Sequence, residues 1–269
     1  MREYDSSTYG ERIADVYDEI ASPATSAEDA VEFLVSVAGK RRILELGVGT
    51  GRVAIPLAAR GFKVFGIEAS PRMIEKMRAK SGGEAIAVEV GDFAEVKIGG
   101  KFSLIYVIFN TLFMLPTQEE QVRCFSRVAR HLSDDGVFVI EAFVPDQGLF
   151  DRGQRVSVSS IENDRVKLDA SMHDRAMQTT RAAHVLIGKN GIDVYPLKIR
   201  YAFPGELDLM ARLAGMRLRA RWAGWNRQPF KADSGLHVSV YELTSVSAPS
   251  PTVPKAHKLK RKLTKRRGT

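Results

Sequence analysis

Three carboxylates recur at equivalent places in the first half of this chain. Glu45 sits in the apolar run Ile43-Leu-Glu-Leu46, Glu68 closes Lys63-Val-Phe-Gly-Ile-Glu68, and Asp92 follows residues 85–90 and Gly91. Between the first two acids lies Gly47-Val-Gly-Thr-Gly51. Glycines at alternate positions remove Cβ atoms and admit positive φ, so the backbone can bend beneath a nucleotide-sized ligand. In a parallel sheet the carboxyl ends of the strands share one edge, and ligands bind there. Acids on that edge accept hydrogen bonds from hydroxyl and amino groups, and an ionised acceptor makes the stronger bond. Taken singly, each acid reads equally well as a solvated strand end. Together with the glycine turn, the three describe one wall of a site for a polar, nucleotide-like molecule. The spacing is acid-x-G-x-G-x-G, and Arg52 stands where the dinucleotide fingerprint G-x-G-x-x-G requires its third glycine.

To hold those groups the chain needs strands alternating with helices, and its patterning supplies them. Residues 9–20 carry Ile13, Val16, Tyr17 and Ile20 at helical spacing, and residues 26–38 present Ala30, Phe33, Leu34 and Val37 on one face behind a Ser26 cap. A first strand is expected at 42–46, a helix at 52–60 stopped by Gly61, a second strand at 63–68, and a helix with Ser70 as N-cap and Pro71 at its first position. Strands at 85–90 and 102–109 follow, the latter nearly all apolar, as a strand buried on both faces is. A helix at 119–132, a turn at Asp134-Asp-Gly136 and a strand at 137–143 complete an alternation that predicts a doubly wound α/β sheet. The rhythm then changes. Residues 155–161, 166–173, 179–186 and 192–203 are rich in β-formers, with turns at Asn163-Asp164 and Lys189-Asn-Gly191, which predicts an antiparallel β insertion. A helix at 204–214 and strands at 217–223 and 237–244 resume the α/β pattern.

Composition bounds the rest. With 269 residues, 44% hydrophobic and 27% charged, the chain has ordinary globular make-up and room for one core with a subdomain. Its one cysteine, Cys124, excludes a disulfide framework, a zinc cluster and a Cys-x-x-Cys centre; no metal site is expected, and Cys124 reads as a small buried apolar residue. There is no apolar signal region at the start and no run of 18 apolar residues, so a cytoplasmic protein without a membrane span is expected. The net charge of +8 belongs to residues 245–269, which hold eight basic residues and no acid, leaving 32 basic and 32 acidic residues in 1–244. That Ser- and Pro-rich tail is expected to be disordered. It offers nonspecific contact to nucleic acid or an anionic surface, or serves as a solubilising extension; it has no interleaved aromatics for base stacking.

Glu45-Leu-Gly-Val-Gly-Thr-Gly51 resembles motif I of the class I S-adenosylmethionine-dependent methyltransferases, Glu68 their motif II acid, Gly91-Asp-Phe93 their adenine motif, and residues 128–136 the helix and turn before strand five. The likeness covers 41–143 and 204–244. It implies a seven-stranded Rossmann-like sheet, the insertion as a lid, and S-adenosylmethionine as cofactor. The expected organisation is N-terminal helices over the cofactor site (1–40), the methyltransferase core (41–154 and 204–244), the antiparallel lid (155–203) and the basic tail (245–269). Under this resemblance Gly47, Gly49 and Gly51 form the loop beneath the methionine end, and Glu45 orders that loop or meets the amino group. Glu68 takes the ribose hydroxyls, and Asp92 takes the adenine amine with Phe93 against the ring. Tyr9-Gly-Glu-Arg-Ile-Ala-Asp-Val-Tyr-Asp18 resembles the aromatic N-terminal helix of small-molecule members, in which a tyrosine closes over the cofactor; Tyr9 or Tyr17 is the counterpart. The layout is similar to peptide N-terminal methyltransferases of the cypemycin type and to amino-sugar N-methyltransferases, so the implied acceptor is N or O of a small molecule or peptide.

The end of the fourth strand reads Phe109-Asn-Thr-Leu-Phe113, not the Asn/Asp-Pro-Pro-Tyr with which nucleic-acid amino-methyltransferases grip a flipped base. Asn110 can direct its amide at the transfer centre, with Phe109 and Phe113 as walls or as core. Catalysis is then mostly positioning: an amine need only lose its proton, whereas a hydroxyl gains from a general base. His173, His184 and Tyr201 of the insertion are candidates, histidine having a suitable ordinary pKa. Two other readings stand beside this one, an RNA-directed methyltransferase guided by the tail and a catalytically silent binding protein on the same fold. The missing third fingerprint glycine argues against a nicotinamide dehydrogenase.

Overall fold

A computed structural model of the protein describes residues 4–20, 27–39 and 42–244. The expected Ser26 cap and the tail 245–269 lie outside them. Two short helices, α1 (Thr8–Ile13) and α2 (Tyr17–Ile20), precede α3 (Ala27–Val37). The core then runs β1 (Ile43–Leu46), α4 (Ala54–Ala59), β2 (Val64–Glu68), α5 (Pro71–Arg78), β3 (Ala87–Val90), β4 (Phe102–Val107), α6 (Gln118–His131) and β5 (Leu132–Phe143). Four strands follow, β6 (Gln154–Ile161), β7 (Arg165–Asp174), β8 (Thr179–Gly188) and β9 (Gly191–Arg200), before α7 (Pro204–Leu213), β10 (Met216–Trp222) and β11 (Leu236–Leu243) close the fold.

The large sheet has the order β10-β11-β5-β4-β1-β2-β3. β11 is antiparallel to both its neighbours, and the other pairings are parallel. The chain leaves β1 toward β2 and β3 on one side and returns through β4 to β5 on the other, so the carboxyl ends of β1 and β4 flank the switch point where such sheets bind ligands. One face packs on α6 and α7 through Cys124, Phe125, Val128, Leu207 and Met210. The other packs on α3 and α4 through Phe33, Leu34 and Leu57. Both faces being covered explains the unbroken apolar run of β4, all six of whose residues are buried. Helix ends follow local chemistry: the Ser70 hydroxyl accepts from the Met73 N–H with Pro71 next in line, and Thr117 and Glu120 form a reciprocal capping box on α6. No described helix is long and apolar enough to cross a membrane.

Three expectations are corrected. The helix expected over 9–20 breaks after Ile13, where Val16 and Glu19 donate to the carbonyls three residues back, and the tightened chain restarts at Tyr17. The turn expected at Asp134-Asp-Gly136 is a bulge inside β5: Phe102 pairs with Leu132 but Leu104 pairs with Val137, and the extra residues arch out. The fourth strand stops at Val107, two residues early, because Phe109 and Asn110 adopt left-handed φ of 55° and 64°.

β6 to β9 form a separate four-stranded antiparallel sheet in sequential order, as the insertion predicts. Its last strand is fastened to the core by Arg200, which is buried, pairs with Glu206 at 2.7 Å and exchanges hydrogen bonds with Gln121 on α6. Cross-strand partners share a face. The register row Ser157–Asp169–His184–Tyr195 therefore lies on one face, with Leu186 two residues along. Leu186 and Tyr195 pack on Ile13 and Tyr9, so this face looks toward the N-terminal helices. The alternate row Val158–Leu168–Val185–Val194 looks away.

Candidate functional site

At the carboxyl end of β1 the backbone enters the glycine turn, and Gly47, Gly49 and Gly51 all take positive φ. They do different things. A Cβ on Gly49 would meet no atom within 4 Å, so the loop opens onto free space there. A Cβ on Gly47 would lie 2.5 Å from Thr111 Cγ2, and one on Gly51 would lie 2.6 Å from Met77 Cγ, so these two permit close packing beneath the loop. Glu68, at the end of β2, accepts from the Gly49 N–H and the Ser70 N–H, both at 2.9 Å, one on each oxygen. An ionised carboxylate offers about four acceptor sites, so capacity remains on Glu68 for a ligand. Burial raises the Glu68 carboxyl above its ordinary range, and the Ser70 and Gly49 N–H groups oppose that rise.

A cavity of about 290 Å³ including its open mouth lies over this turn, lined by Tyr17, Glu45, Gly47, Gly49, Arg52 and Phe109 among others. Glu45 is fully enclosed by protein and accepts from the Tyr106 hydroxyl at 2.8 Å, its register partner on β4. Burial pushes its carboxyl up to about 8, with the Tyr106 bond and Arg52 resisting. The Arg52 guanidinium sits 4.1 Å from the Phe109 ring centroid and 5.7 Å from that of Tyr17. No salt bridge engages it among the described residues. Its charge lies within range of Glu45 and Glu141, lowering both.

The left-handed pair Phe109–Asn110 forms the opposite rim. Such φ values are strained for phenylalanine and persist only when neighbours hold them. Here β5 does so: the Glu141 carboxylate accepts from the Phe109 N–H, and the Asn110 side-chain oxygen accepts from the Phe143 N–H at 2.7 Å. Glu141 is buried, and that pushes its carboxyl up to about 7. Asn110 thus spends its amide oxygen on fixing the rim, and Phe113 is core, ring to ring with Phe143 at 5.0 Å. Further along the edge, Asp92 accepts from the Ala94 N–H at 2.8 Å, and Phe93 packs beneath Gly47 with 9% exposure.

The N-terminal helices roof the cavity. Asp18 accepts from the Thr50 hydroxyl at 2.6 Å and pairs with Lys80 at 2.7 Å; Glu11 accepts from the Ser70 hydroxyl at 2.6 Å. Gly10 lies so close that a Cβ would be 2.6 Å from Ser70 Cβ. Burial, then the Tyr17 and Tyr4 phenols, raise the Tyr9 phenol well above its ordinary value, so it stays a neutral donor.

The two lid histidines share a face but not a neighbourhood. His173 is in register with Thr180, four residues along β8 from His184, about 13 Å at strand rise. The His173 Nε2 is 2.7 Å from the Tyr201 hydroxyl, its ring stacks on Phe150, and burial lowers its pKa. The His184 Nδ1 is 2.5 Å from Asp169, whose carboxyl that bond holds below its ordinary range. The His184 ring lies 6.4 Å from the ring of Tyr9, which packs in one cluster with Tyr17 of the cavity wall. A histidine oriented by a carboxylate and facing the roof has the arrangement of a general base. Sequence reasoning used Arg52 only to exclude a fingerprint and passed over Tyr106, Glu141 and Asp169. Tyr106 and Glu141 carry no local signal, since their roles depend on which strands become neighbours. Asp169 had one, an unread turn at 174–178 that brings it opposite His184.

The chain matches known proteins along most of its length. A family profile described as "Methyltransferase domain" matches residues 43–136. The structure of the CcbJ methyltransferase from Streptomyces caelestis is 40% identical, covers 90% of this chain and 100% of its own, and superposes with a TM-score of 0.86. The cypemycin N-terminal methyltransferase of a Streptomyces species is 26% identical over 233 residues, 86% of this chain and 95% of its own. A dTDP-4-amino-2,3,4,6-tetradeoxy-D-glucose N,N-dimethyltransferase of Saccharopolyspora spinosa is 29% identical over 149 residues, 53% of this chain and 59% of its own.

Proposed function

This chain belongs to the S-adenosylmethionine-dependent methyltransferases, and we propose that it methylates an amine nitrogen on a small molecule or peptide. When bound, S-adenosylmethionine supplies an electrophilic methyl group on a sulfonium. The open space above Gly49, the oriented lone pairs of Glu68 and the roof of Tyr9 and Tyr17 form a cradle that suits an adenosyl ligand. In this reading Glu68 holds the ribose hydroxyls, and Asp92 with Phe93 meets the adenine. Arg52, a cation flanked by aromatic rings and without a carboxylate partner in contact among the described residues, holds the amino-acid carboxylate, while Glu45 orders the loop beside the amino group.

The rim Phe109–Asn110 shapes the opening through which the acceptor nitrogen approaches in line. As the new N–C bond forms, the methyl carbon's bond to the sulfonium breaks, leaving a neutral thioether, and the amine sheds a proton. His184, held by Asp169, accepts that proton on Nε2, and the resulting imidazolium is stabilised by the carboxylate. His173, tied to Tyr201, frames the far end of the acceptor space and is the second candidate. Water exclusion by the lid and roof keeps the neutral amine the best nucleophile present. The observation that carries the reading is the pairing of an open glycine cradle with a carboxylate-oriented histidine across one roof. The names of the two curated relatives, which specify N-terminal and amino-sugar nitrogen, support nitrogen as the target.

The test is a screen of amine and hydroxyl compounds for S-adenosylhomocysteine release, with mass spectrometry of the products. Methylation on nitrogen is expected; products methylated only on oxygen would overturn the nitrogen assignment, and failure to bind S-adenosylhomocysteine at all would overturn the cradle.

A further inference from the structure

The first strand of the lid carries one residue more than its ladder needs. Its sequence alternates through Val156 and Val158 but reaches the next apolar residue, Ile161, after two serines instead of one. The pairing absorbs the extra residue: Val158 pairs with Leu168 and Ser160 with Lys167, and Ser159 between them is unpaired in that ladder. This is a β-bulge, which re-aims the side chain of the extra residue. A bulge on an edge strand such as β6 also discourages pairing with other chains, but that effect needs no hydroxyl. Here the hydroxyl is used: Ser159 Oγ donates to Asp169 Oδ2. The other oxygen of the same carboxylate, Oδ1, lies 2.5 Å from His184 Nδ1. Ser157 is the direct register partner of Asp169, yet the bond comes from Ser159.

We infer that Ser159 is a positioning residue for methyl transfer: its hydroxyl fixes Asp169, and through Asp169 it fixes the tautomer and direction of His184. The inference rests on the reading of His184 as the proton acceptor and extends it to a third strand, with Ser159 on β6, Asp169 on β7 and His184 on β8. An ionised carboxylate only accepts, so Nδ1 of His184 carries the imidazole proton and Nε2 keeps its lone pair for the acceptor amine. The His184 bond holds the Asp169 carboxyl below its ordinary range against burial, and the Ser159 bond adds to that. The Asp169 side chain is 39% exposed and that of His184 24%. Water therefore competes for the carboxylate, whose terminal torsion is broad unless a second contact sets it. A base held by one carboxylate oxygen is aimed only as well as that carboxylate is, and Ser159 supplies the second contact.

The test is a long-range proton–nitrogen NMR spectrum of the histidine side chains. It is recorded on the full chain saturated with S-adenosylhomocysteine, above the ordinary histidine pKa, and His184→Gln identifies the His184 signals. The wild type is expected to hold His184 as the Nδ1–H tautomer. Ser159→Ala should lower the ratio of Nδ1–H to Nε2–H by about fivefold, the worth of one ordinary hydrogen bond. Its affinity for S-adenosylhomocysteine should stay within about twofold, which reports an intact fold and donor site. Ser159→Thr keeps the hydroxyl on a residue suited to a strand and should keep the wild-type ratio. Ser157→Ala should leave the ratio unchanged. In an Asp169→Ala background, Ser159→Ala should have no further effect, since the two side chains act in series. An Nε2–H wild type would overturn the inference. So would an unchanged ratio in Ser159→Ala, an equal loss in Ser157→Ala or Ser159→Thr, or an undiminished effect in the Asp169→Ala background. The base reading fails by a different result: His184→Gln that methylates the amine found in the acceptor screen at the wild-type rate, whatever tautomer the spectrum shows.

Discussion

The two sheets of this molecule obey opposite rules. The seven-stranded sheet is buried on both faces, and the groups proposed to hold the donor lie at its carboxyl edge, where Glu45, Glu68 and the glycine turn meet. The four-stranded sheet carries the proposed acceptor-side groups, His184 and His173, on its face, and turns its apolar face outward. The first arrangement gives rigid positions near backbone ends, suited to a donor that is always the same. The second gives a broad polar surface whose residues can change without disturbing a core, suited to an acceptor that differs between relatives. In this reading donor and acceptor recognition are physically separable, and each mutation should affect one and spare the other.

The largest separation is expected at Glu68. Glu68→Ala removes charge-assisted bonds to the ribose and the hold on Gly49, and should weaken S-adenosylhomocysteine binding by about 3 kcal/mol, roughly 150-fold, in a calorimetric titration. Donor affinity that survives this change would break the division at its strongest point. On the lid, His184→Ala should lower kcat by about 100-fold, a typical general-base contribution, with donor affinity unchanged. If instead the donor binds more weakly, the lid is not an acceptor surface alone. Arg52→Gln should weaken S-adenosylhomocysteine by about tenfold and leave 5′-methylthioadenosine, which lacks the amino-acid end, unaffected. Equal losses for both ligands would return Arg52 to a structural role. The smallest effect concerns pH. Glu45 and Glu141 rise to about 8 and about 7 in the folded protein from an ordinary 4.5, so the native state holds more protons than the unfolded one between those values. Stability of the free protein contributed by these groups should therefore fall as pH rises through that window, by up to about 1.4 kcal/mol per pH unit for each. Glu45→Gln should flatten the slope in denaturant titrations at several pH values.

What was legible in the sequence follows the same division. The core sheet announces itself because double burial makes continuous apolar runs, and because Ser70-Pro71 and the glycines obey local rules. The first three lid strands were legible within two residues, since alternation needs no distant partner; the fourth, expected at 192–203, ends three residues early at Arg200. The misses in the core sheet are register-dependent. The bulge at 133–136 exists because β4 and β5 are mismatched in register, which neither strand reveals alone. Tyr106 meets Glu45 only through the β1–β4 pairing, and Glu141 holds Phe109 only because β5 lies beside β4. Phe109 looked like strand because it is compatible with it; its strained φ and that of Asn110 are held from β5.

The roof has a consequence for how the protein is made. Its residues are made before the segments they dock on: Gly10 nests on Ser70, and the Tyr4 hydroxyl accepts from the Lys198 N–H at 3.2 Å. The docking platform at β2 and α5 therefore appears some sixty residues after the segment that uses it, and the lid contact nearly two hundred residues after. Domains gain structure progressively during synthesis, and contacts of high sequence separation form late. The roof segment therefore waits for its partners during synthesis, and the ligand cradle closes only after β2, α5 and the lid have emerged.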